Sequence, residues 1–129
     1  MVLGIGCDII EIKRIEKAIE KDGFLQKYFT NNEIELINIR GKNNAETAAG
    51  NFCAKEAVAK ALGCGFGNVA VKDIEVLRNN KGEPYILLHG NGRTEFDRLL
   101  GSKILISISH SRETAMAFAV IEGGRANVL

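Results

Sequence analysis

The sequence predicts an α+β fold: a small, mostly antiparallel sheet packed against one long buried helix and several shorter ones. Three observations lead there. The Ala-rich run Asn44–Gly63 has the length and composition of a long helix. Helical patterns fill the first half of the chain and hairpin-connected strands the second, a segregation that argues against a doubly wound sheet. Asn79-Asn80-Lys81-Gly82 is a turn signal between two apolar runs, as in a hairpin.

Each element has a local reason. Val2–Asp8 alternates Leu3, Ile5 and Cys7 against Gly4, Gly6 and Asp8, a strand with one bare face. Glu11–Lys21 reads as a helix that turns Ile12, Ile15 and Ile19 inward. Thr30–Ile39 is a second amphipathic helix, with Thr30 and Glu33 spaced as a capping box. The long helix takes Asn44 as N-cap and Gly63 as its stop. Ile74–Arg78 and Tyr85–Leu88 flank the hairpin turn, and Gly92–Leu100 is a short helix. Lys103–Ser109 and Ala115–Ile121 are strands joined through His110–Thr114. The last strand is apolar on both faces, so it is central or lies at a subunit contact.

With 129 residues the chain is one domain, 1–129, small enough for oligomerisation to help its stability. A net charge of +1 gives no global field aimed at nucleic acid or membrane, so electrostatic recognition must be local. The three cysteines, Cys7, Cys53 and Cys64, form no CxxC pair. No secretory leader or bilayer-length apolar run is present. These features lead to the expectation of a reduced, cytoplasmic protein.

Two carboxylates carry the chemistry. Glu56 shares a stripe of the long helix with Ala45, Ala49, Phe52 and Ala59, while Ala54, Ala57, Val58, Ala61 and Leu62 cover the other side. A carboxylate on so apolar a helix must be paired, neutralised or bound to a metal, and Lys60 one turn on is a possible partner. Asp8 follows Gly4 and Gly6 on the bare strand face, where a ligand can come close. With Glu11 it also has the spacing of a helix cap, so both readings stand. Two acids on rigid elements, with waters and a phosphate-bearing substrate, make a Mg²⁺ site; no His/Cys cluster favours zinc.

Lys13, Lys17 and Lys21 recur at every fourth position, with Arg14 beside them. Such a stripe is either a solvated face or a docking surface for an acidic partner. His110 closes the run Ile104–Ser111, where it either binds a phosphate or caps the turn. Ser109 and His110 point to opposite faces of a strand, so they are no nucleophile–base pair.

Taken together, Gly4-Ile5-Gly6-x-Asp8 with Arg14, Phe29-Thr30-x-x-Glu33, Phe52-x-x-Lys55-Glu56-Ala57-x-x-Lys60-Ala61 and Ser107-x-Ser109-His110-Ser111 resemble the short, bacterial type of phosphopantetheinyl transferase, the holo-acyl-carrier-protein synthases. The resemblance runs over essentially the whole chain, and the KEAxxK motif with the upstream GIGxD is its most specific part. It departs at Asn51, where many relatives carry a basic residue, and at Phe52, a Trp in some.

The resemblance implies transfer of phosphopantetheine from coenzyme A to a serine of apo acyl carrier protein, in fatty acid biosynthesis. By position it makes Asp8 and Glu56 the Mg²⁺ ligands, with Glu56 or a water as proton acceptor. It gives Lys60 to the phosphates and puts His110, Ser109 and the Gly63-Cys64-Gly65 loop against coenzyme A. Lys42 is a candidate for the coenzyme's outlying phosphate. Lys13, Arg14, Lys17 and Lys21 would dock the carrier, and the family looks homotrimeric, with sites shared between subunits. Two rival readings use the same residues: a Mg²⁺-dependent phosphohydrolase, and a non-catalytic module that binds a carrier protein.

Overall fold

The computed structural model describes residues 1–124. Strand β1 (Val2–Glu11) leads into α1 (Ile12–Ile19), α2 (Phe24–Tyr28) and α3 (Asn31–Ile39). Helix α4 (Asn44–Leu62) follows, then the hairpin β2 (Ile74–Arg78) and β3 (Pro84–Leu88). Helix α5 (Gly90–Arg98) and the strands β4 (Gly101–His110) and β5 (Thr114–Gly123) complete the order. The fold is α+β, as the segregated patterns predict, but it has two sheets where one was expected. Strands β1, β5 and β4 form an antiparallel three-stranded sheet with β5 in the middle; β2 and β3 pair separately.

The bare strand face is where the long helix lies. A Cβ on Gly4 would collide with the carbonyl oxygen of Ala61, and one on Gly6 with that of Ala57. Only glycine lets β1 touch the backbone of α4 in this way. Helix α4 crosses the sheet, from Gly50 against Ile108 of β4 to Ala57 and Ala61 over β1. Its alanines bury against Ala115, Ala117, Ala119 and Ile121 of β5. The opposite face of the sheet is uncovered: Ile5, Ile9, Leu105, Met116 and Phe118 stay exposed there.

Several boundaries move. Strand β1 runs on to Glu11, so Asp8 lies within it and caps no helix; Glu11 is the N-cap of α1, without a side-chain bond. Helix α1 ends at Ile19, which leaves Lys21 beyond it. Asn43, the last residue of the 3₁₀ turn Gly41–Asn43, is the N-cap of α4, and Asn44 is its first helical residue. Gly63 does stop α4, at φ 82°. The short α2 has no counterpart in the sequence reading. Its Phe24 and Tyr28, with Phe29, join Phe52 of α4 in an aromatic cluster with ring centroids 5.1–6.3 Å apart.

The fully buried charge of α4 is Lys55, not Glu56. Lys55 and Glu33 are both 0% exposed, and their Nζ and Oε1 lie 2.8 Å apart. The ammonium also donates to the carbonyls of Ile74 at 2.6 Å and Val71 at 3.2 Å. Glu33 completes the predicted capping box with Thr30 and accepts from the N–H of Val76 at 2.8 Å. One ion pair thereby joins α3, α4 and β2, with its hydrogen-bonding capacity met, as burial requires. Beside it Glu75, almost buried, accepts from the Thr30 hydroxyl and from Asn32, and bonds His89 at 3.0 Å.

Two outcomes follow for stability. Gly6→Ala is expected to lose at least about 2 kcal/mol, since the new methyl meets backbone and not a side chain that can move aside; urea denaturation measures it. For Glu75, burial raises the pKa, but the hydrogen bonds from Thr30, His89 and Asn32 outweigh it and the net shift is down. A depressed carboxyl stabilises the fold above its ordinary value of 4.5 and loses that contribution as pH falls through the lower, folded value. Glu75→Gln should therefore melt below the parent at neutral pH, with the gap closing in acid.

Candidate active site

Strand β1 and helix α4 bring Asp8 and Glu56 into one cluster within a single chain. Asp8 sits two residues beyond Gly6, on the face where the strand meets α4. Glu56 is partly buried, next along α4 from the anchored Lys55 and one turn on from Phe52 of the aromatic cluster. These fixed points set its direction. Burial, and after it the charge of Asp8, push the Glu56 carboxyl above its ordinary value, while Lys60 opposes them. A carboxylate raised by a neighbouring carboxylate is the electrostatic mark of a site that lacks positive charge.

Lys60 supplies part of that charge, to a different partner from the one expected. Its ammonium donates to the Cys7 carbonyl at 3.0 Å and lies 3.4 Å from Oδ1 of Asp8. Glu56 has no ion-pair partner among the described residues. Cys53 lies below the acids and donates its S–H to the carbonyl of Ala115 at 3.4 Å. Burial first, then Asp8 and Glu56, push its thiol up to about 12, which keeps it a neutral thiol. Among the described residues no three His, Cys, Asp or Glu side chains gather as a metal cluster. Two carboxylates are nevertheless the protein share that Mg²⁺ takes when substrate phosphates and waters complete its shell.

The other predicted residues lie elsewhere. The N–H groups of Gly63 and Gly65 close the end of α4, donating to the carbonyls of Lys60 at 3.0 Å and Ala59 at 3.3 Å. His110 lines a cleft of about 410 Å³ with Arg40, Arg78, Thr47 and Gly50; Asp8, Glu56 and Lys60 are not in its wall. Nδ1 of His110 is 3.3 Å from the Ser111 carbonyl, a local turn contact. Ser109 points to the uncovered sheet face, paired in register with Met116. Lys42 is exposed in the 3₁₀ turn between Arg40 and Asn43, both of which line that cleft. Lys13, Arg14 and Lys17 project outward from α1, whose Ile12 and Ile15 are buried. Lys21 lines a separate hollow of about 360 Å³ with Asp22, Phe24, Lys27 and Tyr28. Arg40 and Arg78 escape a sequence reading because they are far apart in the chain and belong to no motif.

Residues 4–119 match the model of the 4′-phosphopantetheinyl transferase superfamily. The chain belongs to that family. A holo-(acyl-carrier-protein) synthase of Alkaliphilus oremlandii is 52% identical over 122 residues, covering 93% of this chain and 98% of the relative. One from Fusobacterium nucleatum is 48% identical over 126 residues, 94% of this chain and 99% of its own. Among solved structures, the Bacillus anthracis synthase in complex with CoA (3′,5′-ADP) superposes with a TM-score of 0.81 at 38% identity, covering 96% of this chain and 99% of that one. The Helicobacter pylori synthase in complex with coenzyme A gives 0.80 at 34% identity, covering 92% and 99%. The likeness extends over the glycine-bared strand, α4 and β4, so every residue of the acid cluster falls inside the matched region.

Proposed function

We propose that this chain transfers the phosphopantetheine of coenzyme A to a serine hydroxyl of apo acyl carrier protein, releasing adenosine 3′,5′-bisphosphate. The observation that carries the reading is the meeting of Asp8 and Glu56 beside Lys60, at a strand stripped of side chains, in a member of this family. The donor set suits a hard dication such as Mg²⁺, with Asp8 and Glu56 as its ligands. When bound, the ion offsets the negative charge of the pyrophosphate as it is split.

The side chains divide the remaining work. Lys60, more than half exposed at its side chain, steadies the phosphate oxygens as the serine oxygen attacks phosphorus and the bond to the bisphosphate breaks. Glu56, or a water beside it, takes the serine proton. Gly63, with open space where a Cβ would stand, lets the coenzyme approach the backbone. His110, Ser109 and Lys42 contact the coenzyme from other elements.

Those contacts call for more than one copy of the chain. His110 and the acids lie in different depressions, and Ser109 faces outward. A groove of about 290 Å³ lined by Lys60, Ile5, Cys7 and Phe118 runs from the acid cluster toward the uncovered apolar face. A homotrimer with that face at its subunit contacts covers the apolar residues and shares each site between neighbours. The three free thiols fit a cytoplasmic setting. Lys13, Arg14 and Lys17 form the face for the acidic carrier, with Lys21 at its margin.

The test is mass spectrometry of an apo carrier incubated with the chain, coenzyme A and Mg²⁺: the carrier gains a phosphopantetheine. Free phosphate with an unmodified carrier would instead identify a phosphohydrolase, and binding without either product a non-catalytic module. Asp8→Asn and Glu56→Gln should each lower kcat by about a hundredfold or more while circular dichroism stays that of the parent. Turnover that survives both changes rules out the acid pair. Reversing charge with Lys13→Glu and Lys17→Glu should raise KM for the carrier about tenfold, far more than KM for coenzyme A, and less so in high salt. Equal carrier dependence at low salt refutes the docking face.

A further inference from the structure

Lys60 is the cation whose charge bears on both acids of the cluster, and it is tied to one of them. Its ammonium donates to the Cys7 carbonyl at 3.0 Å and lies 3.4 Å from Oδ1 of Asp8. Two of its three N–H donors are thereby used, both on β1. The tie is loose. The Lys60 side chain is 53% exposed and that of Asp8 21%, and an exposed pair at this distance is weakly held. The four-carbon stem is flexible and forms one wall of the groove it shares with Ile5, Cys7 and Phe118, so the ammonium has room to move.

That mobility matters because Asp8 has two possible cationic partners. A divalent ion on its carboxylate would meet the ammonium at close range, where like charges repel. Phosphate oxygens offer Lys60 another destination, richer in negative charge than a single carboxylate. Burial and then Asp8 already push the Glu56 carboxyl up, and Lys60 is the charge that opposes them. Once the ammonium leaves, two carboxylates face each other with nothing to balance them, the condition a hard dication relieves.

We propose that Lys60 and a divalent cation are alternative partners of Asp8, and that a pyrophosphate decides between them by drawing the ammonium away. The inference rests on the proposed transfer reaction and adds a coupling to it. Coenzyme and metal each ease the binding of the other through one side chain, by the same factor in both directions. Lys60 is thus a competitor of the metal before it is a contact of the phosphates.

The experiment counts bound metal without turnover, using Mn²⁺ and the paramagnetic resonance signal of the free ion. The parent should bind Mn²⁺ weakly by itself and at least about tenfold more tightly with coenzyme A present. Lys60→Gln should bind Mn²⁺ alone about fivefold more tightly than the parent, and gain less from coenzyme A. Lys60→Arg, which keeps the charge, should follow the parent, and adding Asp8→Asn to Lys60→Gln should abolish the gain. A lysine that serves only the phosphates leaves the metal affinity of the chain alone unchanged. Mn²⁺ binding by Lys60→Gln that is equal to the parent's, weaker, or undetectable overturns the proposal, as does a gain that survives Asp8→Asn. Metal binding needs no carrier: a gain in Lys60→Gln, from a parent that modifies no carrier, sinks the transfer reading alone. Carrier modification by a parent whose Lys60→Gln variant shows no gain sinks this proposal alone.

Discussion

Backbone contact between β1 and α4 is the constraint on which the rest of the molecule depends. Gly4 and Gly6 remove the side chains that would hold the helix off the strand, and Ala57 and Ala61 come down onto them. The closeness does two things at once. It buries a helix whose alanines have little bulk with which to fill space, so the core is made by approach and not by large side chains. It also places the next inward position of the strand, Asp8, within electrostatic reach of Glu56 and Lys60. Fold and chemistry share one geometric cause.

A second requirement is rotational. A helix apolar on every side has no stripe to tell its neighbours which way to turn it. Here a charge does so. Lys55 can be buried only where Glu33 and the carbonyls of Ile74 and Val71 receive it, and that sets the azimuth of α4. Glu56, about 100° further round, is then aimed at Asp8 and not into the core. The interior ion pair is best understood as a device of specificity, holding the site in register, since burying two charges stabilises a fold only modestly at best.

The sequence showed a good part of this. The Thr30–Glu33 capping box, the Asn79–Gly82 hairpin and the bare face of β1 were all legible, because each depends on neighbours a few residues apart, and the apolar faces of β5 offered its central place as one of two readings. What escaped depends on distant partners. Nothing local in Lys55-Glu56 says which residue goes inside; that is decided by Glu33, from another helix. Helix α2 has five residues, too few for a period, and forms because its aromatic rings pack on Phe52. Lys21 continues a regular spacing that the helix itself does not, since α1 ends at Ile19. The separation of His110 from the acids is likewise set by the path of α4 across the sheet, which no motif records.

The burial of Lys55 reaches beyond architecture. An amine with no exposed surface, donating to a carboxylate and two carbonyls, cannot meet an acylating or alkylating reagent while the chain is closed. Its chemical reactivity is therefore a clock for opening of the three elements it joins, separate from the surface lysines that react at once. Molecules labelled there have unfolded at least that far, and a ligand that tightens the fold slows the clock exponentially with the stability it adds.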